Sequence, residues 1–441
     1  LFGSGTRGAR RMHQLANAVI IFDEVQTLPV KCVQLFNMAV NFLVNNCGST
    51  IVLCTATQPL LDKIEPKSRA LSITAEQQMV PDARKFFDDI KRVEIYDKTK
   101  VGGWTVEEIK ELAGQQVLKS GSVLVVVNTK TSARELYKQC KQIDNLETYH
   151  LSTHMCPAHR LDVLKQVKKC LDPENPKPVI CISTQLIEAG VDISFGSVIR
   201  FLAGLDSIAQ AAGRCNRHNE QYPALGEVYI INPADENIDG LDDIRIGKEK
   251  TERLLDEFKS NPKRFANNII SPEAMEQYYQ YYFYQRAKEM NYPVSSKSAV
   301  RREDNLFNLL SENKVSVDEY MRINKKAPEK PLRQAFMSAA KSFEVIETVA
   351  RGIIVPYGKE GKDLISKLCS VMDIDKQYKL LRRAQRYSVN IFPNVLEKLQ
   401  KQGAIHEAQI ESGVLYLDSR YYSDEFGLSE IPVKDMDLLN V

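Results

Sequence analysis

Ala18-Val19-Ile20-Ile21-Phe22-Asp23-Glu24 is the stretch on which the fold reading turns. Five apolar residues run straight into two acids. A short apolar run without alternation suits a parallel strand buried on both faces. Thr50-Ile51-Val52-Leu53-Cys54 repeats the pattern and runs into Thr55-Ala56-Thr57. Between the two runs, Leu35-Phe36, Met38-Ala39-Val40 and Phe42-Leu43 read as a crossover helix. Strand, helix, strand in that order is a βαβ unit. Val93-Glu94-Ile95-Tyr96 is expected to close this first region.

A second α/β stretch opens after Gly102-Gly103. Thr105 and Glu108 have capping-box spacing and predict a helix start. Strands are predicted at Ser122–Val127, Thr148–Leu151, Val179–Ser183, Val198–Leu202 and Glu227–Ile231, with helical patterns between them. From about Asp235 the pattern turns helical: Ile244–Lys259, Ser271–Met290, Leu332–Val349 and Lys376–Tyr387. Ser271-Pro272-Glu273 is a good helix start. Gly352–Gly358 and Gly413–Leu417 read as strand or turn. The expected organisation is residues 1–98, 99–234, a helical linker over 235–340 and a small mixed C-terminal domain over 341–441.

The composition narrows the function classes. The 441 residues carry 59 Lys+Arg against 57 Asp+Glu, so a polybasic binder is excluded and any nucleic-acid contact must come from local clusters. No apolar run reaches about 18 residues, so no membrane span is expected. Nine scattered cysteines with no C-x-x-C pair suggest neither a zinc ribbon nor a disulfide framework, and fit a reducing cytoplasm. The chain begins at Leu1 with no signal-peptide pattern, and is read as a piece of a longer reading frame.

The chemistry sits where the strands end. Acids at the carboxyl end of a parallel strand are placed for nucleotide chemistry. Asp23 can hold Mg²⁺, and Glu24 can orient or deprotonate a water. A solvated turn is the bland alternative for this pair, and an N-cap is the bland alternative for Thr55-Ala56-Thr57. In the second stretch, Val179–Ser183 runs into Thr184-Gln185-Leu186-Ile187-Glu188-Ala189-Gly190-Val191-Asp192. Val198–Leu202 is followed by Gln210-Ala211-Ala212-Gly213-Arg214-Cys215-Asn216-Arg217. Arg214 and Arg217 share one helix face, and with Gln210 they can clamp a phosphate.

Taken in order, these four pieces resemble motifs II, III, V and VI of superfamily-two helicases. In that family two RecA-like lobes sandwich ATP and move along a nucleic-acid strand. Four longer stretches are similar to the CRISPR-associated helicase–nuclease of type I systems, most of all its type I-C form. They are Ile21–Pro29, Leu53–Pro59, Ser183–Asp192 and Leu205–Arg217. The likeness continues through Leu151–Arg160 and the Tyr-rich helix near Tyr278–Tyr284. It implies tandem RecA-like lobes, the first truncated at its N-terminus, then a helical linker and a C-terminal domain that closes over the DNA path. It implies ATP with Mg²⁺ on Asp23, water activation by Glu24, and coupling through Thr55 and Thr57. Gln210, Arg214 and Arg217 would face the γ-phosphate, with Arg217 the arginine finger. Gly190 and Asp192 would lie near the nucleotide. Thr184 and Gln185 would touch the DNA backbone or couple it to ATP, and Thr129 would offer its hydroxyl and helix-start amides to a phosphate. The implied partners are the displaced single strand, an RNA-guided surveillance complex, and an upstream HD nuclease and P-loop segment.

The sequence also departs from that pattern. Gln26 stands where the family often has His. Gly3-Ser4-Gly5-Thr6-Arg7-Gly8-Ala9-Arg10 has P-loop glycine spacing, but Ala9 replaces the Lys and Arg10 the Ser or Thr. The expectation is a C-terminal helicase half that does not hydrolyse ATP by itself. Two rivals remain, another superfamily-two motor such as a restriction translocase subunit, or a non-catalytic DNA-binding or docking module.

Other features have plainer readings beside the sharper ones. His150, His154, Cys156 and His159 tempt a zinc site but fit no standard finger spacing. Tyr278–Tyr284 could stack bases, though rings on every side of a helix more often pack. Arg301-Arg302 and Arg382-Arg383-Arg386 could line a DNA channel or simply face solvent. Trp104 reads as a packing residue before its helix.

Overall fold

The computed structural model describes residue 2 and residues 12–55, 57, 59–80, 82–188, 190–329, 333–344, 350–371, 373–409 and 411–433. The Gly3–Arg10 stretch, Ala56, Ala189 and the ends of the expected Leu332–Val349 helix lie outside them. In chain order the strands are β1 (Val19–Phe22), β2 (Thr50–Leu53), β3 (Val93–Asp97), β4 (Ser122–Val126), β5 (Glu147–Leu151), β6 (Val179–Ser183), β7 (Ser197–Phe201) and β8 (Gly226–Ile231). They continue as β9 (Pro293–Val294), β10 (Asp304–Asn305), β11 (Arg351–Ile354), β12 (Ser388–Ile391), β13 (Ile405–Glu407), β14 (Leu415–Leu417), β15 (Tyr422–Ser423) and β16 (Gly427–Leu428). The chain forms two compact units, one from residues 1–89 and 252–347, the other from 90–251 and 348–441.

In the first unit β1 and β2 pair in parallel, with Phe22 opposite Leu53, but β1 is not buried on both faces as expected, since Val19 and Ile21 are exposed. The helix Val33–Cys47 crosses between them and stops at Gly48, whose φ of 64° is the left-handed turn that glycine allows. Buried Asn37 on that helix donates to the carbonyls of Leu61 and Arg69. It thereby pins the segment that follows Thr57. Val25, Val33, Val40, Leu61 and Ile64 form the core beside it. The helix Pro272–Arg286 opens as its sequence predicts, with the Ser271 hydroxyl accepting the Ala274 amide and Pro272 in the first turn.

The second unit is built on a six-stranded sheet in the order β3-β8-β7-β4-β6-β5, every pair parallel. Thus the α/β reading holds. β4, β6 and β7 are buried along their whole length, as unalternating apolar strands should be. The chain switches sides of β4 between β6 and β7, so the loops after β4, β6 and β7 meet at one end of the sheet. The Thr105–Glu108 capping box is formed in full. One expectation needs correction. Val93–Tyr96 does not close the first region, because Val93–Asp97 pairs with Gly226–Ile231 and Tyr96 stacks on Tyr229. Trp104 is half-buried, and its ring nitrogen donates to the Lys98 carbonyl.

The same unit carries a mixed sheet, β12-β11-β14-β13. A strap of β15 and β16 runs from it to the loop after β5. The Tyr422 hydroxyl accepts the Cys156 amide and contacts His159 Nδ1, each at 3.1 Å. The Leu428 amide donates to the His154 carbonyl at 2.9 Å. His159 stacks on Tyr357, and His154 Nε2 accepts from Lys130 at 2.7 Å. The histidines therefore serve packing, and among the described residues no group of three His, Cys, Asp or Glu is placed to hold a metal.

Two predictions follow from the strap. Gly427 has φ +76°, and a Cβ there would lie 2.2 Å from the His154 carbonyl oxygen. Gly427→Ala should cost about 2–4 kcal/mol by urea denaturation, whereas Gly240→Ala, with nothing within 4 Å of its Cβ, should be near neutral. Burial also pulls His150 and His154 down to about 4 from the ordinary 6.5, and lowers His159. The unfolded chain then protonates first, so stability is full above pH 6.5 and falls as pH drops toward 4. Glu188, raised by burial to about 6, works in the opposite sense but is a single group. The urea midpoint should be lower at about pH 5 than at about pH 7.5, and His150→Phe should shrink that difference.

Candidate active site

In the first unit a candidate constellation grows from the end of β1. Asp23 and Glu24 are both exposed, and Asp23 Oδ1 accepts the Glu24 amide at 3.0 Å. Glu24 sits in the left-handed region, φ 53° and ψ 45°. For a residue with a long side chain this is strained by about 1–3 kcal/mol, and such strain concentrates at functional positions. Gln26 holds the result in place. Its amide nitrogen donates to Glu24 Oε2, and its Oε1 accepts from the Thr55 hydroxyl. Thr55 Oγ1 also accepts the Thr57 amide at 3.1 Å, and the buried Thr57 hydroxyl lies 3.3 Å from the Tyr279 hydroxyl. One glutamine thus ties the acids after β1 to the threonines after β2. Two adjacent exposed carboxylates are a hard-oxygen donor set that fits Mg²⁺.

The second unit carries its own constellation, at the carboxyl ends of β4, β6 and β7. Thr184, buried, precedes the turn Gln185–Ile187 without a side-chain cap bond, and Gln185 is half-buried at its start. Gly190 is exposed with φ +71°. Asp192 is exposed and accepts from Arg217 Nε at 2.9 Å. Gln210 is half-buried on the helix Leu205–Ala212. Arg214 is buried, and its guanidinium donates to the carbonyls of Ile187 and Glu188. The helix ends at Ala212, so the two arginines lie beyond it and do not share a helix face as expected, and they do different work here. Arg214 braces the turn after β6, while Arg217 stays half-exposed beside Asp192.

Thr129 caps the helix Lys130–Cys140, its hydroxyl accepting the Ser132 amide. Its own amide and that of Asn128 donate to Glu236 Oε1, at 3.1 and 3.0 Å. The helix-start amides expected to meet a phosphate are thus turned toward a carboxylate of the same chain. Of the basic groups, Arg302 pairs with Asp304 and Arg383 with Glu360.

Sequence reasoning missed four residues. Gln26 was visible only as a departure, and its bridging role needed coordinates. Glu188, Ser207 and Arg200 form a buried cluster: Arg200 Nε faces Glu188 Oε1 at 3.0 Å, and Ser207 donates to the Glu188 carboxylate at 2.8 Å. The available signal was a single charge inside the apolar strand Ser197-Val198-Ile199-Arg200-Phe201. A charge buried there must be paired.

Comparison with known proteins fits this geometry. Residues 119–220 match the family model "CRISPR-associated nuclease/helicase Cas3, C-terminal", which spans β4 through the Arg217 loop. The Cas3 nuclease/helicase of Methanothermobacter thermautotrophicus is 27% identical over 269 residues, covering 57% of this chain and 29% of that protein. The crystal structure of T. fusca Cas3 with ADP superposes with a TM-score of 0.56 at 13% identity, covering 95% of this chain and 52% of that one. Over residues 119–220 the chain is similar to the C-terminal part of Cas3 nuclease/helicases, and it shares the fold of a solved Cas3 structure. A chain of a pre-nicking CRISPR RNA-guided surveillance complex shares the fold too, with a TM-score of 0.54, 13% identity, and coverage of 95% and 55%. The Cas3-like chain spans about half the length of these structural relatives. Among its described residues no helix is long and apolar enough to cross a membrane.

The contrast between the arginines can be measured. Arg214→Ala strands two buried carbonyls and should lower stability by about 2–3 kcal/mol in urea denaturation. Arg217→Ala removes a half-exposed pair and should cost under about 1 kcal/mol. Equal losses would show that the brace is not there.

Proposed function

We propose that this Cas3-like chain is the motor portion of a type I CRISPR helicase–nuclease, an ATP-dependent translocase on single-stranded DNA. The observation that carries this reading is the strained Glu24 at the end of β1, clasped by Gln26 and through it joined to Thr55. Asp23 supplies a carboxylate for the Mg²⁺ of Mg-ATP. Glu24, fixed by the Gln26 amide, orients a water and accepts its proton at the carboxylate oxygen. When bound, Mg-ATP supplies the phosphoanhydride and neutralises charge on its phosphates. Arg217 serves as the arginine finger, with Asp192 holding its guanidinium until the nucleotide arrives. Gln210 and Gly190 line the nucleotide, and Arg214 acts through the turn that it braces.

Thr184 and Gln185 face the DNA backbone in this reading, Thr129 stands at the same end of the sheet with its amide held by Glu236, and Thr55 and Thr57 carry the hydrolysis state toward the strand. The substrate is the displaced non-target strand, delivered by an RNA-guided surveillance complex in the cytoplasm. An HD nuclease and a P-loop belong to the same protein upstream. What supports these finer points is the family match over residues 119–220 and the fold shared with a surveillance-complex chain.

The test is ATP turnover by the complete protein with and without single-stranded DNA. Glu24→Gln should reduce stimulated turnover about 100-fold or more while DNA binding persists. The 441-residue chain alone should show no turnover, since its sequence has no G-x-x-x-x-G-K-[ST] loop. Wild-type turnover in the Glu24→Gln protein would sink the motor reading.

A further inference from the structure

Arg200 is the largest wholly buried side chain of the described residues, with 0% exposure. It lies near the carboxyl end of β7, paired across β4 with Val126. Its guanidinium reaches in four directions. Nη1 donates to Asn128 Oδ1 at 2.7 Å and to the Phe201 carbonyl at 2.8 Å. Nη2 donates to Ser207 Oγ at 2.7 Å. Nε faces the Glu188 carboxylate, which is itself buried and accepts from Ser207. Asn128 extends the network, since its Nδ2 donates to Glu236 Oε2 at 2.8 Å and to the Leu202 carbonyl.

These contacts join elements that the sheet alone leaves separate. Asn128 leads into Thr129 after β4. Glu188 stands between Gln185 and Gly190 after β6. Ser207 is in the first turn of the helix that carries Gln210 and leads to Arg217. Glu236 comes from the loop after β8. A buried ion pair of this kind is a poor source of stability, because desolvation offsets most of the attraction and an apolar pair of similar volume often does as well. What the network does supply is a fixed geometry among loops, since every shift of one breaks a charge-assisted hydrogen bond with another.

We propose that Arg200, with Glu188 and Ser207, is a positioning device that transmits DNA engagement at the loops after β4 and β6 to the nucleotide-facing helix after β7. This rests on the translocase reading above. None of the three residues touches ATP or DNA in it. They act through Thr129, Gln185, Gln210 and Arg217.

The experiment uses the complete protein and four readouts: thermal midpoint, basal ATP turnover, affinity for single-stranded DNA, and stimulated kcat. Ser207→Ala and Glu188→Gln should leave basal turnover and DNA affinity within about twofold, and lower stimulated kcat about tenfold. The apolar double variant Arg200→Met/Glu188→Leu should recover the thermal midpoint lost by Arg200→Met alone, but not the stimulation. Should any variant fail to fold, Ser207→Ala, which removes one hydroxyl, decides the matter. Stimulation retained in Ser207→Ala and Glu188→Gln would overturn the proposal. So would its return in the apolar pair, or a proportional fall of basal and stimulated turnover with the midpoint. A wild-type protein with no DNA stimulation would instead mark failure of the translocase reading, and this inference would fall with it.

Discussion

In-register parallel pairing of β4 with β6 and β7 is the constraint on which the second unit depends. Val126 stands opposite both Ser183 and Arg200, so the three strands end level. Their following loops then have to emerge side by side. Everything assigned a role in this unit follows one of those ends: Asn128 and Thr129 after β4, Thr184 to Asp192 after β6, and the helix Leu205–Ala212 after β7. A slip of register would separate Arg200 from Glu188 and leave two charges buried without partners. The hydrophobic faces and the buried pair therefore select the same alignment.

Much of this was legible in the residues. Continuous apolar runs named β4 and β6, because strands covered on both faces need no polar alternation, and they named β1 and β2 although Val19 and Ile21 of β1 are exposed. The capping box at Thr105 and the Ser271-Pro272 start were readable because they are local chemistry, settled within one helical turn. β3 was misplaced for the opposite reason. Val93-Glu94-Ile95-Tyr96 alternates, as an edge strand with one wetter face does. Its partner Gly226–Ile231 lies far along the chain. Proximity in sequence favoured the first region, while the open edge of β8 and the Tyr96–Tyr229 stacking decided otherwise.

The candidate site was legible as a set of residues but not as a division of labour. Arg214 and Arg217 look equivalent in sequence, three apart on one face. Arg214 is drawn inward because the turn Gln185–Ile187 leaves two carbonyls needing donors, and a guanidinium satisfies both at once. Arg217, three residues on, meets the Gly213 carbonyl and the exposed carboxylate of Asp192, and the latter contact is weak enough to exchange for another anion. Burial thus assigns bracing to one arginine and leaves the other available.

Gln26 shows the same logic in the first unit. Its sequence position suggested a loss, since the related family often has histidine there. An amide, however, presents a donor and an acceptor on one planar group and keeps both at any pH. Here the donor meets Glu24 and the acceptor meets Thr55, so both ends of the side chain are used. A neutral imidazole also offers one donor and one acceptor, but protonation would cost it the acceptor and break the link to Thr55. The glutamine accordingly keeps the acid and the threonine joined across the pH range in which histidine would titrate, and it does so without adding a charge beside the carboxylates that are placed to receive a cation.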